Sequence, residues 1–221
     1  MPQITFKFDK NKDTWNIWDK SNRKSSFGED WGKSIPLRLI EISKGKPIKE
    51  AKKNIEKYST KFYNSDFIKV FIESVKKLWD LEEKEFFNRL EKITGNPFKK
   101  KLTCYITTIG VCPYNISEKW FMCSAFNNLT GAISTIAHET LHFHFFEHDY
   151  KKVEKQIGKK KTEDLKESLT ILLNLEFRDL CFTTEKGYPN HQELRKFIAE
   201  EWKKDKNYEE LIKKCVKYLS K

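Results

Sequence analysis

Between Pro47 and Thr94 the apolar residues return at helical spacing: Phe67, Val70, Phe71, Val75 and Leu78, then Phe86, Leu90 and Ile93, with Gly95-Asn96-Pro97 as a stop. This pattern predicts two or three helices. The period then shortens. Residues 101–109 (Lys-Leu-Thr-Cys-Tyr-Ile-Thr-Thr-Ile) and 119–126 (Lys-Trp-Phe-Met-Cys-Ser-Ala-Phe) are rich in β-branched and aromatic residues and flank a Pro113/Asn115 turn signal, which predicts a pair of antiparallel strands. Asn127-Asn128-Leu129-Thr130-Gly131 supplies cap-type residues, Asn128 or Thr130, for a helix over about 131–148. Further helices are predicted over about 162–182, 190–204 and 207–219. Residues 1–33 alternate at first (Ile4, Phe6, Phe8) and then scatter Trp15, Trp18, Phe27 and Trp31 among polar residues, which reads as a short strand or hairpin followed by an irregular arm. The remainder, 34–221, reads as one α+β domain with N-terminal helices and a small, mainly antiparallel sheet.

Composition narrows the classes. At 38% hydrophobic, 14% aromatic and 34% charged residues, with eight Gly and six Pro, the chain is globular rather than disordered. No run approaches a membrane span, the start has no apolar signal-peptide core, and the five cysteines form no C-x-x-C pair, so a reduced, cytoplasmic protein without a membrane partner is expected. The net charge of +11 would attract anions. Only Arg23, Arg38, Arg89, Arg178 and Arg195 are arginines, however, and the lysines are dispersed among acids, which suits a solvating surface better than a nucleic-acid interface.

One segment carries chemistry. His138-Glu139-Thr140-Leu141-His142 is an H-E-x-x-H pattern inside the helix predicted at 131–148. At about 100° per residue, histidines four apart stand one turn above each other and can reach one metal ion. Glu139 points elsewhere, where its carboxylate can take a proton from water at the metal's open face. Four of the five histidines fall within residues 138–148, among Ile133, Ile136, Ala137, Leu141, Phe143, Phe145 and Phe146. Such a helix is buried, and buried imidazoles need partners.

Through this motif and its preceding strand, residues 103–191 resemble the zincin-like metallopeptidases. The resemblance implies a zincin-like fold with a buried active-site helix packed under the sheet. It also implies Zn2+ held by His138 and His142, Glu139 as general base, and a peptide or protein substrate paired with the strand at 119–126. The third ligand separates the subfamilies. His148 stands at the metzincin position, but Phe145 replaces the glycine that would break the helix and no methionine follows Met122. The gluzincin-type alternative is a glutamate on the next helix. Glu167 lies 25 residues after His142 in an apolar stretch where a carboxylate needs a compensating cation; the alternatives are Glu163, Glu176, His191 or no third ligand. Ile171 occupies the place of the Asp that orients a ligand histidine in thermolysin-like enzymes. Tyr188 and His191, in Gly187-Tyr188-Pro189-Asn190-His191, are candidates for donating to an oxyanion.

The expected activity is zinc-dependent peptide hydrolysis. The alternatives are a non-catalytic zinc-containing regulatory or interaction protein and a basic nucleic-acid-binding protein.

Overall fold

The alternation at the start of the chain produces β1 (Ile4–Phe8), with Ile4 buried and Thr5 and Lys7 exposed. The structure is a computed structural model and describes residues 4–25 and 30–221. Asp9 follows the strand and caps α1 (Lys10–Asn22), its carboxylate accepting from the N–H groups of Asn11 and Lys12 at 2.8 and 3.1 Å. The irregular arm expected after the first strand is therefore corrected to a capped helix that buries Ile17. Phe27, assigned to that arm, lies outside the described residues.

Pro36 and Pro47, which cannot continue a preceding helix, stand immediately before α2 (Leu37–Ser43) and α3 (Ile48–Tyr63). α4 (Phe67–Thr94) completes the predicted helical stretch. Three further strands follow: β2 (Leu102–Thr107), β3 (Tyr114–Asn115) and β4 (Trp120–Ser124).

The sheet order is β1-β2-β4-β3, and its strand sense corrects the expected antiparallel arrangement. β1 runs parallel to β2 (Ile4 opposite Leu102), and β2 runs parallel to β4 (Cys104 opposite Phe121). Only the short β3 is antiparallel, with Tyr114 opposite Phe121 and Asn115 opposite Trp120. The physical reason lies in residues 108–119. Their length permits a crossover, and the tight turn falls not at Pro113 but just before β4, where Lys119 adopts φ 57°. β4 is also buried at every position, the continuous apolar pattern of a parallel strand rather than the alternation of a half-exposed one. It lies inside the sheet, so the strand expected to receive a peptide is already flanked on both sides at Trp120 and Phe121.

The chain divides into two compact units. The first, residues 4–79 with 101–132, holds the sheet and a core of Ile17, Ile35, Leu39, Ala51, Ile55 and Ile109. Within it the fully buried Asp13 ties three elements together. Its Oδ1 accepts from Thr107 Oγ1 and the Thr108 N–H, and its Oδ2 from Thr108 Oγ1 and Tyr63 Oη, all at 2.7–2.8 Å.

The second unit, residues 80–100 with 133–221, is helical. It holds most of α5 (Leu129–His148), then α6 (Tyr150–Ser168), α7 (Ile171–Glu176), α8 (Arg178–Cys181), α9 (Gln192–Lys204) and α10 (Tyr208–Leu219). Phe145, Leu165, Leu172, Ile198, Trp202 and Leu211 belong to its core. α6 breaks at Gly158 (φ 76°, ψ 165°), so a helical segment does start near the expected 162, but it ends at Ser168 and two short helices follow in place of the single helix expected to run to about 182. Thr170 sits where α6 ends, its hydroxyl donating to the Glu167 carbonyl at 2.6 Å and accepting from Arg195 Nη1 at 2.7 Å. No helix among the described residues is long and apolar enough to cross a membrane.

Candidate metal centre

α5 begins where Asn128 Oδ1 accepts the Gly131 N–H at 2.6 Å, one of the two caps proposed from the sequence. Ala132, Ile133, Ile136, Ala137, Leu141, Phe143 and Phe145 are buried along it, so the histidines have little water to bind. They separate into two groups. His144 is engaged as a core residue through one ring nitrogen, its Nε2 lying 3.1 Å from Thr94 Oγ1 and 3.1 Å from the Asn96 carbonyl. The ring of His148 lies tilted against that of His144, with centroids 4.6 Å apart, and stands 3.9 Å from Glu147.

His138 and His142 form the other group, with ring centroids 4.3 Å apart as the helical spacing requires. Glu167, at the end of α6 and 5% exposed, meets both. Its Oε2 lies 3.1 Å from His142 Nε2 and 3.5 Å from His138 Nε2. One ligand atom from each of the three residues lies within 4.8 Å of the others, so the group could hold a metal ion. A four-coordinate ion with ligand distances of about 2.0–2.2 Å and tetrahedral angles needs donors roughly 3.4 Å apart, which the two measured separations bracket.

Glu139, one residue from His138, is not part of this group. It is buried, and its Oε2 has no hydrogen-bond partner among the described residues. Burial pushes its pKa up to about 7, opposed by His138 and Lys166 and reinforced by Glu167. The three residues of the group are polarised differently. Burial works against charge on both imidazoles, but Glu167, Glu185 and Glu139 lift His138 to about 10, whereas His142 falls to about 3. Burial would also raise Glu167, yet His142, His138 and Lys166 hold it well below the ordinary carboxylate range.

Around the three donors lies a layer of residues that sequence reasoning missed. Glu185 Oε1 stands 3.6 Å from His138 Nδ1. Arg195, 3% exposed, holds this carboxylate through a 2.5 Å contact to Oε2 and also donates to the Glu185 carbonyl. Asn174 fastens the same residue from the other side, donating to its carbonyl and accepting its N–H at 2.7 and 2.8 Å. Gly187, at φ 65°, lets the loop lie on Arg195, because a Cβ there would fall 2.7 Å from the guanidinium. Although burial raises the Glu185 pKa, His138 and Arg195 bring it to about 2, so it stays charged. Glu185 thus stands behind His138 in the way that Ile171, the position compared in the sequence, cannot. Nothing in the local pattern of Thr183-Thr184-Glu185-Lys186 marks it. A groove of about 590 Å³ includes Glu185, Asn174, Gln192, Arg195 and Lys196 in its lining.

The remaining candidates lie elsewhere. His191 is buried with its Nε2 3.0 Å from Asp164 Oδ1, and Tyr188 packs edge-on against its ring at 5.5 Å. Neither belongs to the group that could hold a metal. Glu163 accepts from Tyr150 Oη at 2.6 Å, and Glu176 from Trp202 Nε1 at 2.7 Å.

Comparison of the chain with protein-family models, curated proteins and solved structures finds no match.

The placement of Glu167 and His148 yields a direct prediction. Glu167→Ala should weaken metal binding in a chelator competition by at least about tenfold, because even a partner outside the ligand set is usually worth that much. His148→Ala should leave binding unchanged. The reverse ranking would transfer the third position to His148.

Proposed function

We propose that this chain is a zinc-dependent hydrolase that cleaves peptide bonds, with His138, His142 and Glu167 as zinc ligands and Glu139 as general base. The observation that carries this reading is the pairing of three donors at zinc-compatible spacing with a buried, unpartnered carboxylate oxygen one residue away. Two imidazoles and one carboxylate are a donor set that suits zinc and leaves a position open for a water molecule or substrate. When bound, zinc would supply Lewis acidity to a water molecule and to the substrate carbonyl.

The protein's own residues would do the rest. His142, kept neutral by burial, has only to shift its ring proton from Nε2, which faces Glu167 Oε2 at 3.1 Å, to Nδ1 to offer an Nε2 lone pair, with no net loss of a proton. Glu185, pinned by Arg195 and Asn174, stands at His138 Nδ1 and so directs Nε2 toward Glu167. Glu139, with its pKa near 7, is poised to accept a proton on Oε2 from the attacking water and to return it to the leaving amine. A structural metal would need no such carboxylate, which favours the catalytic reading over a purely structural site. His191 receives no role here because Asp164 engages its Nε2.

The test is hydrolysis of a peptide mixture by the purified chain, followed by mass spectrometry. Cleavage should stop on removal of the metal with a chelator and return on addition of about one equivalent of zinc. Cleavage that survives complete metal removal, or no cleavage by the zinc-loaded chain, would overturn the proposal.

A further inference from the structure

Lys166 is 1% exposed, an unusual place for an ammonium, and it lies directly beside the third donor. Its Nζ stands 3.0 Å from Glu167 Oε1 and 2.9 Å from Glu163 Oε2. Glu163 is in turn fixed by Tyr150 Oη at 2.6 Å, and the ring of Phe146 lies 5.5 Å from the ammonium. The two oxygens of Glu167 are therefore divided. Oε1 faces the cation, and Oε2 faces both imidazole nitrogens.

We propose that Lys166 is a positioning residue that reserves Glu167 Oε1, so that Glu167 serves a metal ion through Oε2 alone and one coordination position stays open. This deepens the proposed function and rests on it. A carboxylate free to turn can chelate through both oxygens. With two histidines, that would fill a four-coordinate ion or drive it to higher coordination, leaving no place for water or substrate. Placing a second cation next to a metal site is electrostatically unfavourable. Simple compensation of a buried Glu167 would need no lysine once the metal is present, because the ion itself neutralises the carboxylate. The ammonium is nonetheless anchored by Glu163, whose other oxygen Tyr150 engages, which holds it at Oε1 whether or not the metal is bound.

Cobalt(II) provides the readout, since its visible absorption is intense in four-coordinate sites and weak in higher-coordinate ones. The wild type, K166M and K166R are loaded with one equivalent of Co2+, and the bound ion is counted independently. The wild type should show an intense four-coordinate spectrum. K166M should keep the stoichiometry while its absorbance per bound ion falls severalfold, and K166R should restore it. Should K166M fold poorly because Glu163 is left unpaired, the double variant E163Q/K166M removes both charges and should give the same weakened spectrum. A folded variant without Lys166 whose spectrum superimposes on the wild type would overturn this inference alone. A wild type that takes up no cobalt and no zinc would overturn the metal centre on which it rests.

Discussion

Glu139→Gln should lower kcat for the proposed peptide hydrolysis by at least about a hundredfold while leaving the metal in place, since a positioned general base is worth roughly that much or more. The substitution keeps the size of the side chain and removes its ability to take a proton. The proposed donors are His138, His142 and Glu167, none of which is changed, so one metal per chain should remain. A second readout separates this carboxylate from an ordinary buried acid. In the metal-free protein the folded-state pKa is raised from 4.5 to about 7 by burial, against the pull of His138 and Lys166. Between those two values the folded chain keeps a proton that the unfolded chain has released. Wild-type stability should therefore fall relative to the Gln variant as pH rises through that window. Urea unfolding at several pH values measures the difference. Equal hydrolysis by the zinc-loaded variant would place the base elsewhere.

What could be read from the residues follows from the range over which each signal acts. His138 and His142 were legible because a single helical period places them, and the apolar neighbours that make the helix show its burial. Glu167 was legible by a weaker route, as a carboxylate in an apolar stretch that demands a cation. That demand does not say which cation. The structure supplies two answers at once, a group of histidines able to hold a metal and the neighbouring Lys166.

Strand sense was not legible. The apolar runs at 102–107 and 120–124 look the same whether the chain returns by a hairpin or by a crossover, and the deciding feature is the backbone turn at Lys119. The helix expected to run unbroken to 182 ends instead at Ser168, because Thr170 spends its hydroxyl on Glu167 and Arg195. Glu185 was invisible for a related reason. Its position depends on Arg195, ten residues on, on Asn174, eleven residues back, and on a positive φ at Gly187, and none of these leaves a periodic trace in the sequence.

Replacing His138 and His142 together with Ala should abolish metal uptake, whereas the wild type should bind about one zinc per chain, because a lone carboxylate cannot hold the ion against a chelator. Each single substitution should already lower affinity far more than loss of Glu185, which of the three donors stands against His138 alone. The pH dependence of wild-type uptake identifies the imidazole that must change its protonation state. His142, lowered to about 3, is neutral throughout the neutral range, while His138, raised to about 10 by its carboxylate neighbours, carries a proton there. Zinc must displace that one proton, so binding should strengthen by about tenfold per pH unit between pH 6 and 8. Removing the Glu185 charge with Glu185→Gln lessens the hold on that proton, and the affinity measured at pH 6 should then fall less steeply relative to pH 8. Zinc titrations against a competing chelator at both pH values read stoichiometry and slope together. Retention of one zinc per chain by the double variant would remove the metal centre from this helix altogether.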